Sequence, residues 1–188
     1  MNPLTLLISF SPWIVFGVLA GHSLVQLEIC LVICLLLSVV LNWTDLKNKL
    51  IVPWATLLYF IIVCLLVIPL HVYEIIPFIG LASNVVLTLI AFGSIAVGKS
   101  FTIQYARKEV PQERWNDIHF IRINQVITGF WGLLFLLGTI KSIIELYIPD
   151  YFGVFGDAFL WISMIVGIVF TVKYPPYAKK KIAQKNSS

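Results

Sequence analysis

Six stretches of this chain are apolar for long enough to be read as membrane helices. A hydrocarbon core about 30 Å thick needs roughly 20 apolar residues in a helix. Leu4 to Ala20 carries no charge, and Leu24 to Leu41 is interrupted only by Glu28. Leu50 to Leu70 and Ile75 to Val97 are uncharged, and Ile123 to Ile140 is unbroken. Ala158 to Val172 is shorter, with Tyr151, Phe152 and Phe155 extending its outer end. The pattern predicts an all-α polytopic membrane protein of about six transmembrane helices, forming one integral membrane domain over residues 1–188. Five would remain if the N-terminal span were cleaved or re-entrant. Val18-Leu19-Ala20 has the small-residue form of a signal-peptide cleavage site. However, Met1-Asn2-Pro3 carries no basic residue and Pro12 and Trp13 break the apolar run, so the first span is expected to be retained.

Composition supports lipid as the main solvent. The 188 residues are 60% hydrophobic and 12% charged, whereas a soluble domain carries about a quarter charged residues. The net charge of +4 does not point to nucleic acid, because the basic residues sit in the links between apolar runs and not along one helix face. If the spans alternate, one side receives Lys47, Lys49, Lys99, Arg107, Lys108, Arg114 and Arg122, then Lys173, Lys179, Lys180, Lys181 and Lys185. The other receives only Lys141, beside Glu74, Glu145, Asp150 and Asp157. The positive-inside rule then places both termini in the cytoplasm. Cys30, Cys34 and Cys64 lie within apolar runs and read as small buried hydrophobes, not as a disulfide framework.

Two segments depart from the apolar pattern. Residues 99–122 form a cytoplasmic interfacial segment, with Pro111 starting a short helix, Trp115 at headgroup depth and basic residues facing phosphates. Residues 178–188 form a basic polar tail that is expected to fray. The first segment supplies most of the candidate interaction residues: Lys99, Gln104, Arg107, Lys108, Glu109, Pro111, Arg114 and Trp115, with Asn124 just beyond it.

Several motifs invite chemistry that their context denies. Gly93-Ser-Ile-Ala-Val-Gly98-Lys99-Ser100 matches the P-loop pattern letter for letter, but it lies in an apolar run with no strand before it. Gly98 reads instead as the end of a membrane helix, with Lys99 reaching the headgroups. Gly153-Val-Phe-Gly156-Asp157 faintly resembles the aspartate motif of intramembrane proteases, yet the spacing is wrong, and it reads as a turn and helix start. His22, His71, Glu28 and Glu74 share the outer side without the close helical spacing of a zinc motif, so neither metal nor cofactor is expected. Two intramembrane polar residues stand out. Glu28 lies about one turn inside its span, near His22, and reaches the outer interface, while Asn84 suits an interhelical hydrogen bond. Thr128/Gly132 and Ser163/Gly167 are small pairs suited to close helix packing. Asn42-Trp43-Thr44 matches a glycosylation acceptor but falls on the cytoplasmic side, where no glycan is expected.

Gly98-Lys-Ser-Phe-Thr-Ile-Gln-Tyr-Ala-Arg-Lys-Glu-Val-Pro-Gln-Glu-Arg-Trp115, followed by Arg122-Ile-Asn124 and Gly129-Phe-Trp131-Gly132, resembles the intracellular septation protein A (YciB-like) family of bacterial inner-membrane proteins. The matching positions are Lys99, Gln104, Lys108, Glu109, Pro111, Trp115, Asn124 and Trp131. The later outer loop departs from that family, with Tyr151-Phe-Gly-Val-Phe-Gly156 where a Trp and a Lys are usual. The resemblance implies a multi-pass protein of the bacterial inner membrane, not an enzyme, serving envelope maintenance or septation through protein or lipid contacts. Its partners would be membrane lipids, membrane proteins of the envelope or division machinery, and further copies of the chain. A small-solute or ion transporter is the alternative.

Overall fold

The computed structural model describes residues 3–21, 23–149 and 151–186. Among them every regular element is helical: α1 Pro3–Leu19, α2 Leu24–Val40, α3 Trp43–Lys47, α4 Ile51–Val67, α5 Ile76–Ala96, α6 Phe101–Ala106, α7 Ile118–Tyr147 and α8 Val154–Asn186, with single 3-10 turns between some of them. Three stretches are long and apolar enough to cross a membrane: Tyr73–Ala96, Ile118–Tyr147 and Ala158–Gln184. Leu4–Leu19, Leu24–Val40 and Ile51–Val67 are shorter apolar helices. His22 and Asp150, which figured in the outer-side reading, lie outside the described residues.

The helices form because runs of Leu, Ile, Val and Phe bury one stripe each and leave the others outward. Leu36, Ile62, Leu89 and Ile165 are all more than half exposed. So much bare aliphatic surface, spread over α2, α4, α5 and α8, is foreign to a water-soluble monomer. Inside, α1 contributes Leu6, Phe10, Trp13 and Phe16 to the core, against Cys30, Leu31 and Cys34 of α2 and Phe60 and Val63 of α4. Pro12 interrupts α1, and the Ile8 carbonyl that its missing N–H would have bonded accepts instead from the Ser11 hydroxyl at 2.7 Å. The three cysteines are free and buried, as small hydrophobes should be.

Polar side chains between helices are paired across the bundle. Trp13 Nε1 donates to Thr56 Oγ1 at 2.9 Å, joining α1 to α4, and Trp131 Nε1 donates to Thr171 Oγ1 at 3.0 Å, joining α7 to α8. Tyr59 of α4 donates to the Ile79 carbonyl of α5 at 2.7 Å and lies 2.8 Å from Ser83 Oγ. The small pairs do the packing expected of them. A Cβ on Gly132 would stand 3.0 Å from Phe92 Cζ, and one on Gly167 would stand 2.6 Å from Trp131 Cη2.

Four boundaries differ from the sequence reading. α7 begins at Ile118, capped by the Asp117 carboxylate, which accepts from His119 N at 2.7 Å. The polar segment therefore ends at Asp117 and not at Arg122, because the cap residue stops the loop before the hydropathy does. At its other end α7 runs to Tyr147, taking Lys141 and Glu145 into the helix as an i,i+4 ion pair at 2.6 Å. α8 starts at Val154, after Gly153 at φ +48°, and stays helical through the basic tail to Asn186. Within the described residues the tail is helical: Ala178 is buried in the core and Ile182 is half-buried, so the helix keeps an inward face beyond its apolar run.

Candidate functional site

The ends of the bundle differ sharply in chemistry. An ion pair between Lys108 and Asp45 joins the α5–α7 link to α3, and the end of α8 lies beside both α6 and the start of α7. One end therefore gathers the links rich in Lys and Arg.

At this basic end the first part of the segment expected to lie along the interface, α6, instead turns into the bundle, while most of residues 108–117 stays exposed. Phe101, Thr102, Ile103, Tyr105 and Ala106 are all buried. Thr102 and Gln104 of α6, and the backbone at its start, find partners on other elements, whereas the buried Tyr105 hydroxyl has none. Ser94 Oγ accepts from Phe101 N at 3.1 Å, and Thr102 Oγ1 donates to the Asn124 carbonyl at 2.8 Å while lying 2.7 Å from Thr128 Oγ1. Gln104 Oε1 accepts from Ile51 N at 2.9 Å, capping the free N-terminus of α4. Gln104 thus acts as a cap within the bundle. The helix before it ends as expected: Gly98 has φ +70°, Gly98 N donates to Ile95 O and Lys99 N to Ser94 O, each at 2.9 Å. That is a Schellman turn. The P-loop letters therefore sit at a helix C-terminus, whose dipole repels phosphate.

Beyond α6 the candidate cations divide into two groups. Lys108 is paired with Asp45, whose other oxygen accepts from Ser9 Oγ at 3.4 Å. Arg107 stacks over Trp115 at 5.2 Å, and its Nε is buried without a hydrogen bond. Trp115 in turn donates to the Val110 carbonyl at 3.3 Å. Tyr105 stands beside the Lys108–Asp45 pair. Burial holds its hydroxyl well above the ordinary phenol range, and the Asp45 charge adds to that. Ser9 pulls the other way, from just outside hydrogen-bond geometry. Both polar atoms of the Asn42 side chain are buried without a partner. Ser9, Asp45 and Tyr105 were not singled out as site residues from the sequence, and Asn42 only as a glycosylation match. An aspartate placed among the basic residues of a short link was the one signal that pointed to them.

Arg114 belongs to the second group. It is exposed and lines a groove of about 450 Å³ together with His119 and Lys179. The floor is apolar, formed by Phe120, Ile123 and Ile127, and Asn124 lies buried at its inner wall with Nδ2 donating to the Phe120 carbonyl at 2.8 Å. Asp117 is the one carboxylate on its rim. Lys99, Glu109 and Pro111 are exposed and do not line it.

Toward the opposite end a second cavity, of about 340 Å³, lies between α1, α5, α7 and α8. Asn84 lines it and makes the interhelical contact its position suggested: Nδ2 donates to Ser142 Oγ of α7 at 3.3 Å and to the Gly80 carbonyl at 3.1 Å. Glu28 is half-buried on α2 and is not part of this cavity. Among the described residues no three His, Cys, Asp or Glu side chains come together as a metal site would require.

No family model, no curated protein and no solved structure matches the chain.

Proposed function

We propose that the chain is a six-span protein of the bacterial inner membrane with both termini in the cytoplasm. It serves envelope maintenance or septation by binding anionic lipid or a membrane partner at its basic end, without catalysing a reaction. The observation that carries this reading is the groove, in which Arg114, His119 and Lys179 rim an apolar floor. That combination suits a phosphate-bearing headgroup above an apolar chain, and each Lys or Arg near an anionic surface contributes up to about 1 kcal/mol. The resemblance to the septation family supports the cellular role. The three 17-residue helices are at the lower limit for crossing, at about 25 Å each.

Orientation is tested by single cysteines in a background lacking the native three. At Asn48 and Lys180, both exposed at the basic end, they are expected to resist a membrane-impermeant thiol reagent in intact cells, while one at Tyr151 reacts. Labelling at Lys180 from outside would overturn the orientation and the even span count together.

The role of the groove is tested by Arg114→Glu/Lys179→Glu. This variant is expected to accumulate normally, to lose co-purifying anionic phospholipid by about tenfold as two favourable charges become unfavourable, and to fail to complement a deletion strain under envelope stress. Full rescue at normal abundance would remove the groove from the function. Small-solute transport would then take first place, a reading that the internal cavity beside Asn84 favours.

A further inference from the structure

The cavity between α1, α5, α7 and α8 carries its charged groups at one end only, with Ser83 and Ser163 as further polar lining. Trp13 and Phe16 of α1 and Trp131 and Phe135 of α7 form its apolar depth, which is closed where Phe10 stacks on Trp131 at 5.6 Å. Asn84, Ser142 and the Lys141–Glu145 ion pair gather at the other end. Interiors pack at crystal density with few voids larger than a water molecule. A volume of about 340 Å³ instead falls in the range of ligand sites, roughly 300–1,000 Å³.

Four glycines, Gly17, Gly80, Gly138 and Gly156, contribute to its walls. Gly138 is required by packing, since a Cβ there would stand 2.5 Å from Asn84 Oδ1. Gly80 is not, because a Cβ at that position meets nothing within 4 Å. A glycine inside a helix costs roughly 1 kcal/mol relative to alanine, so at Gly80 that cost preserves space and relieves no clash. The ion pair is equally telling. Lys141 and Glu145 keep only 19% and 31% of their side chains exposed, although charge near the hydrocarbon region is expensive. Side by side they present a cation and an anion of no net charge, which complements a headgroup carrying both signs and opposes one that is only negative.

We propose that this cavity binds one phospholipid with a zwitterionic primary-amine head. Its ammonium meets Glu145 and the amide oxygen of Asn84, its phosphate meets Lys141, and one acyl chain lies against Trp13, Phe16, Trp131 and Phe135. The ammonium can donate three hydrogen bonds, whereas a quaternary amine can donate none. The site is separate from the cationic groove and takes a different headgroup class. It rests on the same helices spanning a membrane.

The test uses the purified, delipidated full chain in detergent micelles, with intact-mass measurement of bound dioleoyl lipids. Phosphatidylethanolamine is expected to bind saturably at one per chain. Phosphatidylcholine and phosphatidylglycerol should bind about tenfold more weakly, the equivalent of one charge-assisted hydrogen bond. Ser163→Phe, which fills the cavity from α8, should abolish binding, while Ile162→Phe on the exposed face of the same helix should leave it unchanged. Should Ser163→Phe not elute as a monodisperse species, Gly80→Leu decides, because open space receives its side chain. Equal binding of the three headgroups, or retention of the lipid when the cavity is filled, overturns the proposal. The measurement does not depend on orientation in the membrane, so an inverted result in the cysteine labelling leaves it intact.

Discussion

Trp131→Ala is expected to lower stability by about 3–5 kcal/mol, the range for truncating a large buried aromatic. Gly167→Ala is expected to lower it by about 1–3 kcal/mol through overpacking. The indole is 2% exposed, bonded through Nε1 to Thr171 and stacked on Phe10. It cannot retreat from a new methyl group, and a Cβ on Gly167 would lie 2.6, 2.7 and 2.9 Å from three of its ring carbons. In a membrane, helices associate through close packing and not through hydrophobic expulsion from water, so fit at such a contact weighs heavily. The sign is informative, since alanine is intrinsically better than glycine inside a helix by about 1 kcal/mol. In the Trp131→Ala background the same Gly167→Ala change meets no ring and should stabilise. Thermal unfolding of the four proteins in detergent completes the cycle. A neutral or stabilising Gly167→Ala in the presence of Trp131 would mean that α7 and α8 are free to part at this point.

How far this contact could be read from the sequence depends on the range of its parts. Ser163 and Gly167 stand one turn apart in an apolar run, and that spacing alone marks a face of close approach. Gly98 was legible for the same reason, because a glycine at the end of an apolar helix, followed by Lys99, is a local stop signal. The insertion of α6 was not local. Phe101, Ile103 and Tyr105 alternate with Thr102 and Gln104, a pattern that equally describes a segment lying on the interface. What buries both faces is the set of partners its polar groups find far along the chain: Ile51 N for Gln104, and the Asn124 carbonyl for Thr102. Asp45 was hidden likewise, its counter-charge being Lys108, 63 residues away. The start of α7 was obscured by Arg122, a charge that ends an apolar run in a hydropathy reading. On the helix it is simply an exposed position in the second turn after the Asp117 cap.

Those distant pairings change what a charge reversal in the polar segment reports. Arg107 and Lys108 look like free surface cations in the sequence, and on that reading replacing both with Glu tests function alone. Lys108→Glu instead sets a second carboxylate against Asp45, whose side chain is only 12% exposed. Breaking a fully buried pair costs roughly 3–5 kcal/mol, but Lys108 keeps 34% of its side chain exposed, and solvent screening brings the expected loss to about 1–3 kcal/mol. The result should be reduced accumulation and a lower melting temperature, with any loss of activity following from them. Lys108→Met keeps the aliphatic stem and leaves Asp45 unpaired, so it should be destabilising as well. Adding Asp45→Asn removes the stranded charge, and the double variant should recover part of that loss, because the cost lies in an uncompensated carboxylate. Arg107→Glu should cost less, about 0.5–1 kcal/mol for the stacking over Trp115. A Lys108→Glu protein that accumulates and melts like the unaltered chain would show that Asp45 holds nothing in place. Lys108 would then join Arg114 and Lys179 among the cations available to an anionic partner.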